Sequence, residues 1–573
     1  MSIKSFPIVI LQVVLLLLAA GAPVAAQTNF MLHAFAPAKF TGGVLGVNTN
    51  IDGVNPNGWL TWASPVLYGT AVSGGANGSG TLFSINTNGA FRLLYTFPAD
   101  VIAAGNAYGA NPNGGLVLSN TTLFGTTFNG GTNDNGAIFS ISTNGTGVTN
   151  RYSFTALDTV NGITNKDGAN PSAGLVLAGT TLYGTAQNGG FGGNGTVFGF
   201  NTSSRTLTVL HQFTAMTNYN AFGVPTNSDG ANPSCQLLLL GATLYGTTSA
   251  GGTNGLGTVF ALNTNGTGFV VRHHFDNDGA SPSAGLVFAG GNLFGIGGSA
   301  VFALGTNGLG FTVLRQFDNP VDVGATFGLN SGLTVTTNML CGVAFSDGTY
   351  GCGQIFSLNS NGGAFTDIHD FTALPSGYPP PPQTNLDGAF PSGGLIWLNG
   401  SLYGAASQGG TNASGVLFKA TPPPPFPILS GHRSGQNLLL SFQTYAGMTY
   451  IIQQNSDLAT TNWLDITNIP GDGSIIQYMV PIGSVRQIFF RAILSNGTLG
   501  PPASFSLALQ HSGGGLLLNF QTLAGLSYTI QQNTNLIRTN WIDFAHFTGD
   551  GSLTQWTVPV TNAAQIFFRV RQP

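Results

Sequence analysis

One phrase recurs along the chain and constrains its fold more than any other feature. An apolar pair is followed by Gly-Thr, then a glycine-rich stretch, then Gly-Thr-Val-Phe or a close variant. It reads Leu67-Tyr68-Gly69-Thr70, Leu123-Phe124-Gly125-Thr126, Leu182-Tyr183-Gly184-Thr185 and Leu244-Tyr245-Gly246-Thr247. It weakens at Leu293-Phe294-Gly295 and Leu340-Cys341-Gly342, then returns at Leu402-Tyr403-Gly404-Ala405. Between the aromatic positions the steps are 56, 59, 62, 49, 47 and 62 residues, with Cys341 in the sixth slot. Seven units at such a period point to a repeat architecture, propellers among them.

Each unit divides into four short strands. In the third, the apolar runs are Gly174 to Leu177, Leu182 to Thr185, Thr196 to Phe200 and Leu207 to Phe213. Elsewhere Asn-Gly joins the third and fourth runs, as at Asn88-Gly89, Asn144-Gly145 and Asn265-Gly266. Both residues tolerate the positive φ of tight hairpin turns. Val259-Phe260-Ala261-Leu262 is apolar on successive residues, which suits a strand buried on both faces.

The ends of the array decide its closure. The fourth strand carries a ring or a cation two residues before Phe, at Tyr95/Phe97, Tyr152/Phe154, His211/Phe213, His273/Phe275, Arg315/Phe317 and His369/Phe371. The seventh unit stops at Pro422 without a copy. The missing copy is Phe30-Met31-Leu32-His33-Ala34-Phe35. The chain is therefore expected to be all-β, a seven-bladed β-propeller over 27–420 closed by an N-terminal strand at 29–35. Closure removes exposed sheet edges. An open β-solenoid is the alternative.

Composition agrees. Only 6% of the residues are charged, against roughly 25% in average proteins. All 19 acids are Asp, and there are four Lys. A chain without Glu lacks a principal residue of helix surfaces. Its 42% hydrophobic content argues against disorder. A net charge of −4 with no basic tract makes nucleic acid a poor partner.

The Leu-Tyr-Gly-Thr, Gly-Gly, Gly-Thr-Val-Phe and Leu-His-x-Phe phrases resemble GloVer tandem repeats over about residues 29–420. The resemblance implies an exported bacterial protein of the choice-of-anchor group, whose C-terminal regions vary. It supplies no catalytic residues.

The flanks differ from the array. Lys4, the 13-residue apolar run Ile8 to Ala20, and Val24 and Ala26 ahead of Gln27 have the layout of a secretory signal peptide over 1–26. An uncleaved anchor is the rival reading, but the run is short of the ~20 residues that span a bilayer. No transmembrane span is expected in the mature chain, which is placed outside the cell, at its surface or in the periplasm. A proline-rich linker, 421–427, leads to a second repeat with an offset of 78 residues. Leu440-Ser441-Phe442-Gln443 matches Leu518-Asn519-Phe520-Gln521, and Thr461-Asn462-Trp463 matches Thr539-Asn540-Trp541. Short alternating strands suggest two tandem β-sandwich modules at 428–493 and 502–571. Trp463 and Trp541 read as core anchors, with sugar stacking as the alternative.

Candidate chemistry is sparse. Asp52, Asp167, Asp229, Asp278 and Asp387 each precede a blade's first strand in an Asp-Gly turn, while Tyr108 and Val323 break the pattern. A ring of carboxylates at one mouth could hold a cation or sugar hydroxyls. The plainer expectation is that each Asp caps its own turn. His33, His211, His273 and His369 occupy equivalent positions in separate blades, too dispersed to converge on a metal. Cys341 and Cys352, 11 residues apart, are placed on neighbouring strands of one hairpin, where a disulfide could form, while Cys235 reads as a small buried hydrophobe. The glycine-rich loops lack the Lys-Ser or Lys-Thr of phosphate cradles and read as hairpin loops. No Ser-His-Asp order stands out. No cofactor or metal is expected. The reading is a non-enzymatic surface or secreted scaffold for a glycan or protein ligand. The alternatives are a carbohydrate-active enzyme using the mouth Asp residues, and a purely structural protein.

Overall fold

A computed structural model describes residues 30–422 except 42–46, 57–58, 101–105, 159–162, 277–278, 280, 283, 299, 318–331, 337–338, 364 and 376–382. It also describes the strands of a separate unit within Pro423–Pro573. The signal-peptide residues, the proline-rich segment 423–427, Asp278, Val323, Trp463 and Trp541 lie outside the described residues. No helix occurs among the described residues, so none there is long and apolar enough to cross a membrane.

Seven antiparallel sheets follow one another in the larger unit. We number them blades 1 to 7 by the order of their inner strands. In blade 3 the strands are Val176–Ala178, Thr181–Ala186, Thr196–Asn201 and Thr206–Gln212, hydrogen-bonded in that order. Blade 7 takes three strands from the chain's far end, Ala389–Leu398, Ser401–Gln408 and Val416–Ala420. Its fourth is Met31–Ala34, antiparallel to Val416–Ala420 with His33 opposite Leu417. The propeller is thus a closed ring. Two backbone hydrogen bonds extend the seam, Phe35 N to Gly415 O at 3.1 Å and Lys419 N to Phe30 O at 2.7 Å.

The core lies between blades. Seven clusters of buried apolar side chains are found among the described residues, one for each blade–blade interface. The closing strand serves two of them. Phe30 is buried with Phe371 and Phe418 between blades 6 and 7, and Phe35 with Leu60, Phe83 and Leu417 between blades 7 and 1. The third strands are buried on both faces, as their unbroken apolar runs require. Val259, Phe260, Ala261 and Leu262 are all inside.

The glycine of the recurring phrase has a packing cause. Gly246 pairs with Phe260 across the ladder. A Cβ at Gly246 would lie 2.5 Å from Phe260 Cζ and 2.9 Å from Leu237 Cδ2. Equivalent Phe and Leu side chains cover the glycine in every other blade. The Phe ring lies flat over the strand only because nothing projects from it.

The smaller unit contains two copies of one strand pattern. In the first, Asn437–Gln443 lies between Ser430–Ser434 and Ile475–Pro481, and Thr449–Asn455 between Leu464–Pro470 and Phe489–Leu494. The second copy repeats this pair of three-stranded sheets.

Candidate functional site

The turn before four of the seven blades is written Asn-x-Asp-Gly: Asn50 to Gly53, Asn165 to Gly168, Asn227 to Gly230 and Asn385 to Gly388. The Asn, not the Asp, caps the turn. Asn227 Oδ1 accepts from Gly230 N at 3.0 Å and Gly252 N at 2.8 Å, while its Nδ2 donates to Gly230 O at 2.7 Å and Thr214 O at 2.8 Å. One side chain therefore binds the turn, the preceding blade's exit and the glycine-rich loop. Asn50, Asn165 and Asn385 repeat these bonds.

That frees the Asp to reach backwards. Asp229 accepts from His211 Nε2 at 3.0 Å, Thr214 N at 3.1 Å and Thr214 Oγ1 at 2.5 Å, all at the end of the previous blade's outer strand. Its backbone oxygen accepts from Thr258 Oγ1, in the third strand of its own blade. Asp52 is bound by His33 at 3.0 Å, Asp387 by His369 at 3.0 Å, and Asp167 by Tyr152 Oη at 2.6 Å. Each Asp is therefore a latch between consecutive blades. Asp52 and Asp387 hold the two blade junctions beside the ring closure.

The histidines are spent in the same device. His33 stacks on Phe91 at 3.9 Å, His211 on Phe269 at 3.6 Å and His273 on Phe311 at 3.9 Å, each ring lying on the next blade's outer strand. Arg315 lies over Phe365 at 4.2 Å, and His369 stacks on Phe30 at 3.9 Å. Sequence reasoning placed the Asp and the fourth-strand ring as separate series. The overlooked signal was their pairing: every fourth strand bearing His is followed by an Asp-Gly turn, while the strands bearing Tyr95 and Arg315 are followed by Tyr108 and Val323.

Burial works to raise the Asp229 pKa, but the His211 bond and then the Thr214 hydroxyl and amide outweigh it and hold the carboxyl below its usual range. A carboxyl with a depressed folded pKa adds stability that is present above its unfolded pKa of about 4 and is lost as pH falls through the folded value. The double substitution Asp167→Asn and Asp229→Asn is expected to lower the melting temperature at pH 7, at about 1.5–3 kcal/mol per site. The Asp229→Asn share of that gap should narrow as pH falls below about 4. An unchanged melting temperature with lost ligand binding would instead assign these carboxylates to a ligand.

Blade 6 contains the opposite electrostatic case. Asp367 Oδ1 and Asp370 Oδ1 are both buried without a donor. Burial, then Asp370, then Asp347, lifts the Asp367 pKa to about 7. A raised acid is penalised as pH rises from its unfolded value through its folded one. Asp367→Asn should therefore raise the melting temperature at pH 8 and leave it nearly unchanged at pH 4; a gain at pH 4 of equal size would contradict this. Among the described residues no group of three or more His, Cys or Asp is placed to hold a metal ion.

Cys235, Cys341 and Cys352 are free, buried thiols. The ladder sets Cys341 opposite Ser357, and Cys352 lies in the loop before strand Gln354–Leu358, so the two cysteines are not cross-strand partners. Burial pushes the Cys341 thiol up to about 12.

The axis of the ring is filled. At one equivalent inner position the blades carry Trp59, Gly115, Gly174, Gln236, Gly285, Gly332 and Gly394. A Cβ at Gly332 or Gly394 would strike the Trp59 indole, and one at Gly115 would lie 2.9 Å from Trp59 Cβ. Gln236 covers Gly174 and donates to Leu175 O at 3.2 Å. A small cavity beside the two side chains is lined by Asn113, Ser172, Ser234 and Gly285. Among the described residues no ring of carboxylates stands there, because Asp52, Asp167, Asp229 and Asp387 are held in the latches.

The exposed apolar side chains lie elsewhere. The blade connectors and glycine-rich loops are tied together at one end of the propeller by the Asn caps. Phe40, Ile51, Phe191, Tyr219, Phe222 and Leu386 are exposed there. Leu309 and Phe288 are exposed at the strand turns of the opposite end.

A closed ring of seven antiparallel sheets, six of four strands and one of five, with Asp latches at four blade junctions, defines a seven-bladed β-propeller of tandem repeats. The family model described as the Gloeobacter/Verrucomicrobia repeat matches residues 32–165 and 109–224, so over the first blades the chain is similar to that repeat. No curated protein matches. Among solved structures, a chain of a nidogen/laminin complex is 13% identical with a TM-score of 0.29, covering 47% of this chain and 82% of that one. YCF48 bound to D1 peptide is 10% identical with a TM-score of 0.39, covering 69% and 98%. An oligogalacturonate lyase in complex with manganese is 11% identical with a TM-score of 0.36, covering 72% and 97%.

Proposed function

We propose that this is an exported, non-enzymatic scaffold that binds a glycan or protein ligand through the connector end of its propeller. The observation that carries the reading is how the polar and apolar groups are distributed. The carboxylates best placed by sequence for chemistry hold blades together, and Trp59 fills the axis. The connector end instead offers exposed rings on loops, the arrangement of a recognition surface. Residues 1–26 act as the export signal, and the mature chain works outside the cell. The two C-terminal strand repeats form tandem β-sandwiches that carry or attach the propeller.

The test is a glycan array read beside a polysaccharide-degradation screen, using protein recovered from the medium or cell surface. Binding without turnover supports a scaffold. Turnover abolished by Asp→Asn at 167 and 229 would make the protein an enzyme. An N-terminus beginning at Gln27 in the recovered protein supports export by cleavage, and an intact N-terminus refutes it.

A further inference from the structure

We infer that the sector between blades 3 and 4 is a binding site for an uncharged polysaccharide, read by Phe191, Tyr219 and Phe222. This rests on the reading of the connector end as the binding surface. The connector into blade 4 folds back as a small hairpin, with Asn218 opposite Thr226 and Tyr219 opposite Pro225. Asn220 holds its tip, accepting from Phe222 N at 2.9 Å and Val224 N at 3.0 Å. The Asn220 amide also donates to Asn254 O at 2.8 Å, fastening the hairpin to the glycine-rich loop of blade 4. In spite of this fixed backbone, Tyr219 is 69% and Phe222 is 91% exposed.

The third ring, Phe191, stands on the glycine-rich loop of blade 3. Phe191 N donates to Gln212 Oε1 at 2.7 Å, and a Cβ at the next residue, Gly192, would lie 2.8 Å from Ala215 N. The loop therefore rests on the segment from which the Tyr219–Phe222 hairpin departs. On its other flank, Gly193 abuts Ile163 of the preceding connector. Phe191 is 74% and Ile163 is 61% exposed. Folding gains little by burying these side chains, so nothing inside the propeller accounts for their placement.

Charge selects the occupant. Residues 187–195 and 214–227, which form the two loops, contain no Lys, Arg, Asp or Glu. Within these two loops an anionic polymer finds no cation and a cationic one no carboxylate; Lys166 is exposed on the neighbouring connector that carries Ile163. What the loops offer is aromatic faces, negative at their centres and attractive to the C–H edges of a sugar ring, with the exposed side chains of Thr217 and Asn218 beside Tyr219 for hydroxyls. A protein partner would favour a continuous apolar core with Arg among its anchors. Here the rings stand singly on glycine and asparagine turns. Their rigid mounting keeps the ordering cost of binding low.

The experiment is retention of the full mature chain on neutral xylan, mannan, mixed-linkage glucan and starch, with polygalacturonate and chondroitin sulfate as charged probes. We expect retention on at least one neutral polymer, unchanged in 0.5 M salt. Phe191→Ala, Tyr219→Ala and Phe222→Ala should each weaken it about tenfold, as for a binding hot spot. Melting temperatures should not move, because the rings are exposed. Leu309→Ala, at the opposite end, should leave retention intact. Retention on no neutral polymer, or retention that survives the triple substitution, overturns the site. If a charged polymer is bound and the triple substitution abolishes it, the neutral ligand is refuted while the connector-end reading stands. Binding lost with Leu309→Ala but kept by the triple variant refutes both.

Discussion

Deleting residues 27–36 should unfold the propeller at temperatures where the full ring is stable. The segment supplies the outer strand of blade 7 and, through Phe30 and Phe35, part of two inter-blade cores. Losing a buried Phe costs about 3–5 kcal/mol. Two such losses approach the roughly 5–15 kcal/mol that holds a typical protein folded. The deletion also uncovers the edge of Val416–Ala420 and strips Asp52 of its His33 partner, so aggregation should accompany unfolding. Phe35→Ala alone tests the packing share with the strand still present. Melting followed by circular dichroism, with proteolysis at 37 °C as a second reading, decides it. A deleted chain that melts with the parent would mean the seam contributes nothing.

The second large effect is expected at the glycine of the recurring phrase. Gly246→Ala places a methyl against Phe260 and Leu237, both buried. Phe260 cannot swing aside, because Phe213 and Phe269 pack on it at 5.5 and 5.7 Å. Overpacking of this kind costs about 1–3 kcal/mol, and Gly246→Val should cost more. Phe260→Leu, itself destabilising, should recover part of the loss when combined with Gly246→Ala, a coupling that a double-mutant cycle reads directly. Strict additivity would show that the two residues do not meet. Gly199→Ala is the contrasting case, since its backbone is that of an ordinary strand and a Cβ there would meet Tyr183 and Thr181 no closer than 3.4 Å.

Blade number, strand order and closure were legible in the sequence because each depends on local pattern. Apolar runs mark buried strands, Asn-Gly marks the turns, and the missing seventh copy of the His-x-Phe strand pointed to Phe30–Phe35. The latches were not legible in the same way. His211 and Asp229 are 18 residues apart, and nothing local says that a carboxylate placed before one blade folds back to the strand of another. The Asp-Gly dipeptide suggested a self-capping turn, but Asn227, three residues before the glycine, takes that role and releases the Asp. The axis was hidden for another reason. Gly332 and Gly394 look like ordinary turn glycines until the ring brings Trp59 against them. Phe191 and Phe222 gave no periodic signal, because loop tips are where the copies differ.

The single indole on the axis also limits how the repeats can change. Arrays of near-identical units tend to be homogenised when one copy overwrites another. Here such an overwrite would be self-limiting. Copying the first unit onto the sixth or seventh would set a second Trp where Gly332 or Gly394 now clears room for Trp59. Copying a glycine-bearing unit onto the first would empty the centre and leave a cavity at the meeting point of seven sheets. The seven units are therefore alike in outline and unequal in rank. One position in one copy fixes the phase of the whole ring, and the order of the blades is part of the fold.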